Sequence, residues 1–192
     1  VHSEPSFQVR ESVQYAEKER IGSRAAELIQ DGDNIILDSG TTTLHIAKSI
    51  KDKKDLTVVT NDINIAATLR FCKSIKVIVT GGVLFHDSYM LNGMITDETL
   101  STVNIKKAFL GTPAFHHEKG LTHFDEYLVS AKRGMIRAAK RIIVAADHTK
   151  IGRVSIHSVA GINKIDDLVI GKELEEEDRK RLQNTNVQLH LA

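Results

Sequence analysis

One stretch of this sequence combines residue types that can hold an anion. Apolar Ile35-Ile36-Leu37 ends in Asp38 and is followed by Ser39-Gly40-Thr41-Thr42-Thr43, which runs into the helical pattern Leu44, Ile46, Ala47 and Ile50. Glycine lets the backbone turn tightly and come close to a ligand, while hydroxyls and the free amides that open a helix can hydrogen-bond a phosphate. A second reading of the same residues is a plain helix cap, a role that any Ser or Thr can fill there. There is no GxxxxGKS/T and no GxGxxG after the first strand, so a small phosphorylated ligand fits better than a nucleotide.

Four more apolar strands end in polar residues: Thr60-Asn61, Gly81-Gly82, Gly111-Thr112 and Asp147-His148-Thr149-Lys150. In open parallel sheets ligands bind beyond the carboxyl ends of strands, which selects these segments. Asn61 reads equally as a ligand contact and as a helix cap, and Gly81-Gly82 as a site of close approach or a plain turn. Lys132 and Lys150 are candidates to add positive charge. The nine histidines raise the question of metal, above all at His116, His117 and His123. Their spacing is not that of HExxH and Cys72 is the lone soft ligand, so neither metal nor cofactor is expected. Glu118, Asp125 and Glu126 are the nearby carboxylates that could serve as acid or base.

The elements that must position these groups follow from periodicity. Ala16, Ile21, Ala25, Leu28 and Ile29 make a helical stripe over residues 15–30, stopped by Asp31-Gly32-Asp33-Asn34. Strand, polar loop and helix then repeat: residues 35–37 into 44–50, 57–60 into 63–70, and 77–80 into the glycine pair. Residues 108–111 read as another buried strand, 125–140 as a helix, and 142–146 and 168–170 as further strands. A charged helix over 173–183 and an alternating segment over 187–191 end the chain. This alternation predicts an α/β fold, a mostly parallel sheet with helices on both faces.

The 192 residues are enough to bury one core without disulfide or metal staples. Lys plus Arg number 26 against 25 Asp plus Glu, a formal charge of +1, which gives no broad basic field for nucleic acid. No apolar run approaches the roughly 20 residues needed to cross a bilayer, and one cysteine forms no internal disulfide, so the expected compartment is the cytosol. The opening VHSEPSFQVRE has neither a start Met nor the features of a signal peptide, and the chain is expected to be cut from something longer.

Taken in order, DSGTTT at residues 38–43, VVTND at 58–62, VTGG at 79–82, Gly93, KAFLG at 107–111, KGLT at 119–122 and AADHTKIG at 145–152 resemble the effector-binding domain of DeoR-family transcriptional regulators. The resemblance covers nearly the whole chain. It implies a fold like ribose-5-phosphate isomerase and glucosamine-6-phosphate deaminase, a phosphorylated sugar or related metabolite as effector, and a winged helix-turn-helix lost upstream. Residues 1–20 would then be linker and the start of the first helix, and 21–192 the effector-binding domain. Operator DNA would be met through the missing part, and a homodimer or homotetramer would suit it.

By matching positions, the phosphate would lie against Ser39, Gly40, Thr41 and Thr42, with Asp38 and Asn61 at the sugar end. Glu126, Lys132, Asp147 and Lys150 would come from opposite loops, and Gly81 and Gly82 complete the expected set. One departure stands out: Thr112-Pro113-Ala114-Phe115 follows Gly111 where relatives commonly carry Asp-Gly. That removes carboxylates from the place of proton transfer in the related isomerases and sets apolar bulk beside the ligand. A sensor that binds without turnover is therefore the expected function. The rival is a sugar-phosphate isomerase or deaminase with Glu126 as base, and a third reading is an oligomerisation domain with a dead pocket.

Overall fold

The computed structural model describes residue 3 and residues 5–85 and 88–192; Val1, His2 and Glu4 of the expected linker lie outside them. The polar opening carries a helix that its composition did not announce. This is α1 (Phe7–Ser12), anchored by the buried Phe7 ring, which meets Tyr89 edge-on at 4.8 Å. Gln14 takes the left-handed conformation at φ 55° and separates α1 from α2 (Tyr15–Ala26), which ends four residues short of the expected span.

The expected alternation follows: β1 (Asn34–Leu37), α3 (Thr41–Ser49), β2 (Leu56–Thr60), α4 (Ile63–Leu69) and β3 (Ile75–Val79). A two-stranded ribbon, β4 (Val83–Leu84) with β5 (Leu91–Asn92), leads to α5 (Met94–Ser101) and β6 (Ile105–Leu110). Next come β7 (Ala114–His116), β8 (Gly120–His123), a 3₁₀ turn at Glu126–Leu128, α6 (Val129–Ala138) and β9 (Ala139–Ala145). The remainder is β10 (His157–Ala160), β11 (Asp167–Ile170), α7 (Glu176–Gln183) and β12 (Gln188–Leu191). The helix expected over 125–140 is thus a 3₁₀ turn plus α6, and it stops because Ala139 is already extended at φ −111°, ψ 147°.

Seven strands form one parallel sheet in the order β12-β11-β9-β6-β1-β2-β3. Successive side chains point to opposite faces, and both faces are covered, so the strands are near-continuous apolar runs. Ile35, Leu37, Val58, Phe109, Ile143 and Val169 pack with Ile21, Ala25, Leu44 and Ile65 of α2, α3 and α4. Ile36, Val59, Ala108, Leu110, Val144 and Leu168 pack with Leu100, Met135 and Leu182 of α5, α6 and α7. That second face also receives Phe115, Leu121 and Val159 from an antiparallel sheet, β10-β8-β7, which the sequence reading did not foresee. Phe115 is fully buried in this core and does not reach the ligand loop, a correction to its expected place.

Two features of this frame govern the site. From β1 the chain proceeds outward through β2 and β3 on one side, whereas β6, β9, β11 and β12 extend the other, so the loops after β1 and β6 diverge and leave a crevice. On the covering layer, α2 and α3 touch backbone to backbone at Gly22. A Cβ there would stand 2.6 Å from the carbonyl carbon and oxygen of His45.

Candidate functional site

At the crevice between β1 and β6, Lys132 of α6 joins the two diverging loops. Its Nζ donates to Oδ2 of Asp38 and, at 2.7 Å, to the carbonyl of Gly111. The same Asp38 oxygen accepts the Gly111 amide at 3.1 Å, and Oδ1 accepts the Ser39 amide at 2.9 Å. Asp38 is 2% exposed and Lys132 6%, so each charge requires the other. Asp38 lies behind Lys132 and does not line the cavity, which corrects its expected place at the sugar end.

Asp62 holds the other side of the β1 loop. Its Oδ1 caps α4 by accepting the Asn64 and Ile65 amides at 2.8 and 2.9 Å. Its Oδ2 accepts the Ser39 hydroxyl at 2.8 Å and the Gly40 amide at 3.3 Å. Burial pushes the Asp62 carboxyl above its ordinary pKa, against the pull of these donors. The donors of Ser39 and Gly40, both expected at the phosphate, are therefore committed inside the protein. What remains is the first turn of α3: its cap is Gly40, which has no side chain to offer, and among the described residues no acceptor faces the amides of Thr41, Thr42 and Thr43. A helix amino terminus left in this way attracts negative charge.

These amides open on a cavity of about 350 Å³. Ser39, Gly40, Thr41, Thr42 and Thr43 form one wall, Gly111, Thr112 and Pro113 another, and Asp147, Thr149 and Lys150 a third. The apolar loop expected from Pro113 is present. Asp147 is buried and caps the 3₁₀ turn at His148–Lys150 by accepting the Thr149 amide at 3.0 Å. Among the described lining residues five are cationic, Arg10, Lys18, Lys132, Lys150 and Arg153, against the single carboxylate of Asp147, although Lys132 is already paired with Asp38.

Several expected residues stand elsewhere. Asn61 is fully buried and donates to the Leu91 carbonyl at 3.0 Å; Asp62, not Asn61, caps the following helix. Gly81 and Gly82 form the turn into β4, with φ 73° and 127°, and a Cβ on Gly82 would fall 2.2 Å from Oγ1 of Thr96. Their requirement is conformational and local. Glu126 is exposed and lines a separate depression with Arg133, Arg137 and Ser158, outside the crevice.

Pro5, Arg10, Val13, Lys18, His123 and Arg153 all line the cavity and were not among the expected residues. Pro5, Arg10 and Val13 belong to an opening whose helix is too short to show periodicity, Lys18 lies on a helix that was expected but not as part of the site, and His123 comes from the unforeseen antiparallel sheet. Among the described residues His116, His117 and Glu118 bring possible ligand atoms within 4.8 Å of one another. Yet Nδ1 of His116 accepts the Glu118 and Lys119 amides, which leaves the neutral ring's proton on Nε2 and no lone pair for a metal.

Comparisons with known proteins give the site a lineage. The family model of the DeoR C terminal sensor domain matches residues 13–172. A putative aga operon transcriptional repressor of Escherichia coli O157:H7 is 31% identical over 189 residues, 98% of this chain and 70% of that protein. The HTH-type transcriptional repressor GlcR of Bacillus subtilis is 40% identical over 153 residues, 80% of this chain and 58% of GlcR. Among solved structures, ribose 5-phosphate isomerase A of Neisseria gonorrhoeae shares the fold with a TM-score of 0.50 at 16% identity, over 72% of this chain and 53% of the isomerase. The chain spans only part of each of these proteins, and over that part it belongs to the DeoR family of transcriptional regulators, as a C-terminal sensor domain.

Proposed function

We propose that the cavity binds a phosphorylated sugar or related metabolite, and that its occupancy is read by an upstream DNA-binding part and is not followed by turnover. The observation that carries this reading is the first turn of α3, where the unpaired amides of Thr41, Thr42 and Thr43 open on a cation-lined cavity. The phosphate sits on that turn, at Thr41 to Thr43 where the sequence suggested Ser39 to Thr42, with Lys132 and Lys150 beside it. Asp147 faces ligand hydroxyls.

The base expected for turnover is not among the cavity's described lining residues. Glu126, the acid expected to move a carbon-bound proton, stands outside the cavity, and the loop after β6 offers Thr112 and Pro113 in place of carboxylates. Readout has a direct route, because α1 and the residues flanking it close one side of the cavity through Pro5, Arg10 and Val13. In a full-length regulator this segment leads from the DNA-binding part, so a ligand that prefers one placement of α1 shifts the population of DNA-binding states by its differential affinity. Allosteric terms of roughly 1 to 3 kcal/mol suffice for about 5- to 150-fold changes in operator affinity.

Thermal unfolding of the 192-residue chain with a panel of pentose and hexose phosphates tests the proposal. A ligand at 100 times its Kd stabilises by about 2.7 kcal/mol. Thr42→Glu sets a carboxylate at the α3 amides; it should abolish this stabilisation and leave the ligand-free melting temperature within about 3 °C of the parent. Stabilisation that persists in the variant, or isomerisation of any panel member that Glu126→Gln removes, would contradict the proposal.

A further inference from the structure

His123 enters no part of the reading above, yet it lines the same cavity from β8, an element separate from α3. Its Nδ1 accepts the backbone amide of Asp125 at 3.1 Å. A neutral imidazole has one acceptor and one donor nitrogen, so this bond assigns the proton to Nε2. The ring lies tilted against Phe124, centroids 4.5 Å apart, which fixes its direction. Among the described residues Nε2 has no hydrogen-bond partner, and it is not sealed from solvent, so it opens on the cavity. Burial, and after it the charge of Lys132, pulls the ring's pKa down to about 3, so the group is uncharged at any physiological pH.

We infer that His123 is a specificity residue that donates a hydrogen bond from Nε2 to a sugar or polyol oxygen of the bound phosphate ester, so that the cavity prefers a polyhydroxylated phosphate to a bare anion. The inference rests on the proposed phosphate seat at α3. An uncharged donor adds little to the capture of a dianion that amides and lysines already hold. It discriminates well among oxygens of the organic part, because a site built to donate penalises a ligand that presents no acceptor there. It also cannot accept, so an ammonium group at that position would set donor against donor.

Two substitutions separate this role from the structural one. In His123→Asn the side-chain oxygen can still accept the Asp125 amide, but nothing reaches the place of Nε2. In His123→Gln the amide nitrogen reaches about that place and the contact with Asp125 is given up. The measurement is calorimetric titration of the chain and both variants with inorganic phosphate and with a panel of pentose 5-phosphates and hexose 6-phosphates. The readout is the affinity of the best panel member relative to inorganic phosphate.

The wild type should show a preference for that member; His123→Gln should keep it within about threefold and His123→Asn should lower it about tenfold, with phosphate affinity unchanged in both. A full preference in His123→Asn, equal losses for phosphate and sugar phosphate, or a wild type that prefers no panel member would each overturn the inference. The phosphate seat fails separately: if inorganic phosphate does not bind the wild type, or binds Thr42→Glu equally well, that reading falls and takes this inference with it.

Discussion

The two ends of the parallel sheet use the same kinds of residues to opposite effect. At the amino end, buried Asp33 takes Lys107 at 2.6 Å and Lys106 at 3.3 Å, while Lys107 also reaches the Leu28 carbonyl. Buried Asp167, at the start of β11, takes the guanidinium of Arg141 through both oxygens at 2.7 Å and Nε2 of His190 at 2.7 Å. Both of these buried carboxylates meet their complements within the protein. At the carboxyl end, Asp38 and Asp62 are just as buried, but the turn they hold leaves three amides without acceptors among the described residues, beside a cavity that Lys150 and Arg153 also line. Buried ion pairs alone do not mark a functional site; surplus donors of one sign around an opening do.

The largest expected effect lies at the closed end. Asp167→Ala strands Arg141 and His190 and should cost about 3 kcal/mol at pH 7 in chemical denaturation, with ligand affinity unchanged within twofold. Burial pushes the Asp167 carboxyl up, but hydrogen bonds from Arg141 and His190 outweigh it and leave the pKa below the ordinary 3.8. A group lowered by folding stabilises above its unfolded pKa and loses that contribution as pH falls through the folded one. The difference between Asp167→Ala and the parent should therefore shrink below about pH 4; a difference that grows on acidification would refute the assigned pairing.

At the open end the expected effects divide between fold and ligand. Lys132→Met leaves Asp38 buried without its cation and should cost about 2 kcal/mol, and it should also abolish stabilisation by phosphate esters. Lys150→Met is the smallest change: half-buried at the cavity rim, it should alter ligand-free stability by less than about 0.5 kcal/mol and weaken ligand binding several-fold. A large loss of stability from Lys150→Met would erase the contrast between the two ends.

Much of this frame was legible in the residues because a parallel sheet covered on both faces demands apolar runs, and Ile35 to Leu37, Val58 to Thr60 and Ile142 to Ala145 supply them. The turn after β1 was legible too, as a strand-to-helix turn, since a glycine among hydroxyls stands between an apolar run and a helical stripe. Its donors were not, because only the fold brings Asp62, 22 residues away in sequence, onto the Gly40 amide. Glu126 failed for a related reason: a carboxylate near the right loop in sequence faces outward when a 3₁₀ turn rotates it away. His123 and Arg10 gave no local signal of a place at the cavity, since one belongs to a short antiparallel strand and the other to a helix of six residues.

The contact at Gly22 gives the molecule a mechanical property. With no side chain between the two backbones, α2 and α3 lie too close for even a methyl group to fit between them. Under the proposed function, a ligand on the first turn of α3 would act on a helix packed directly against the one that the opening segment feeds into. A single methyl group at residue 22 would act as a wedge between them, and under the proposed function it should loosen readout from ligand binding.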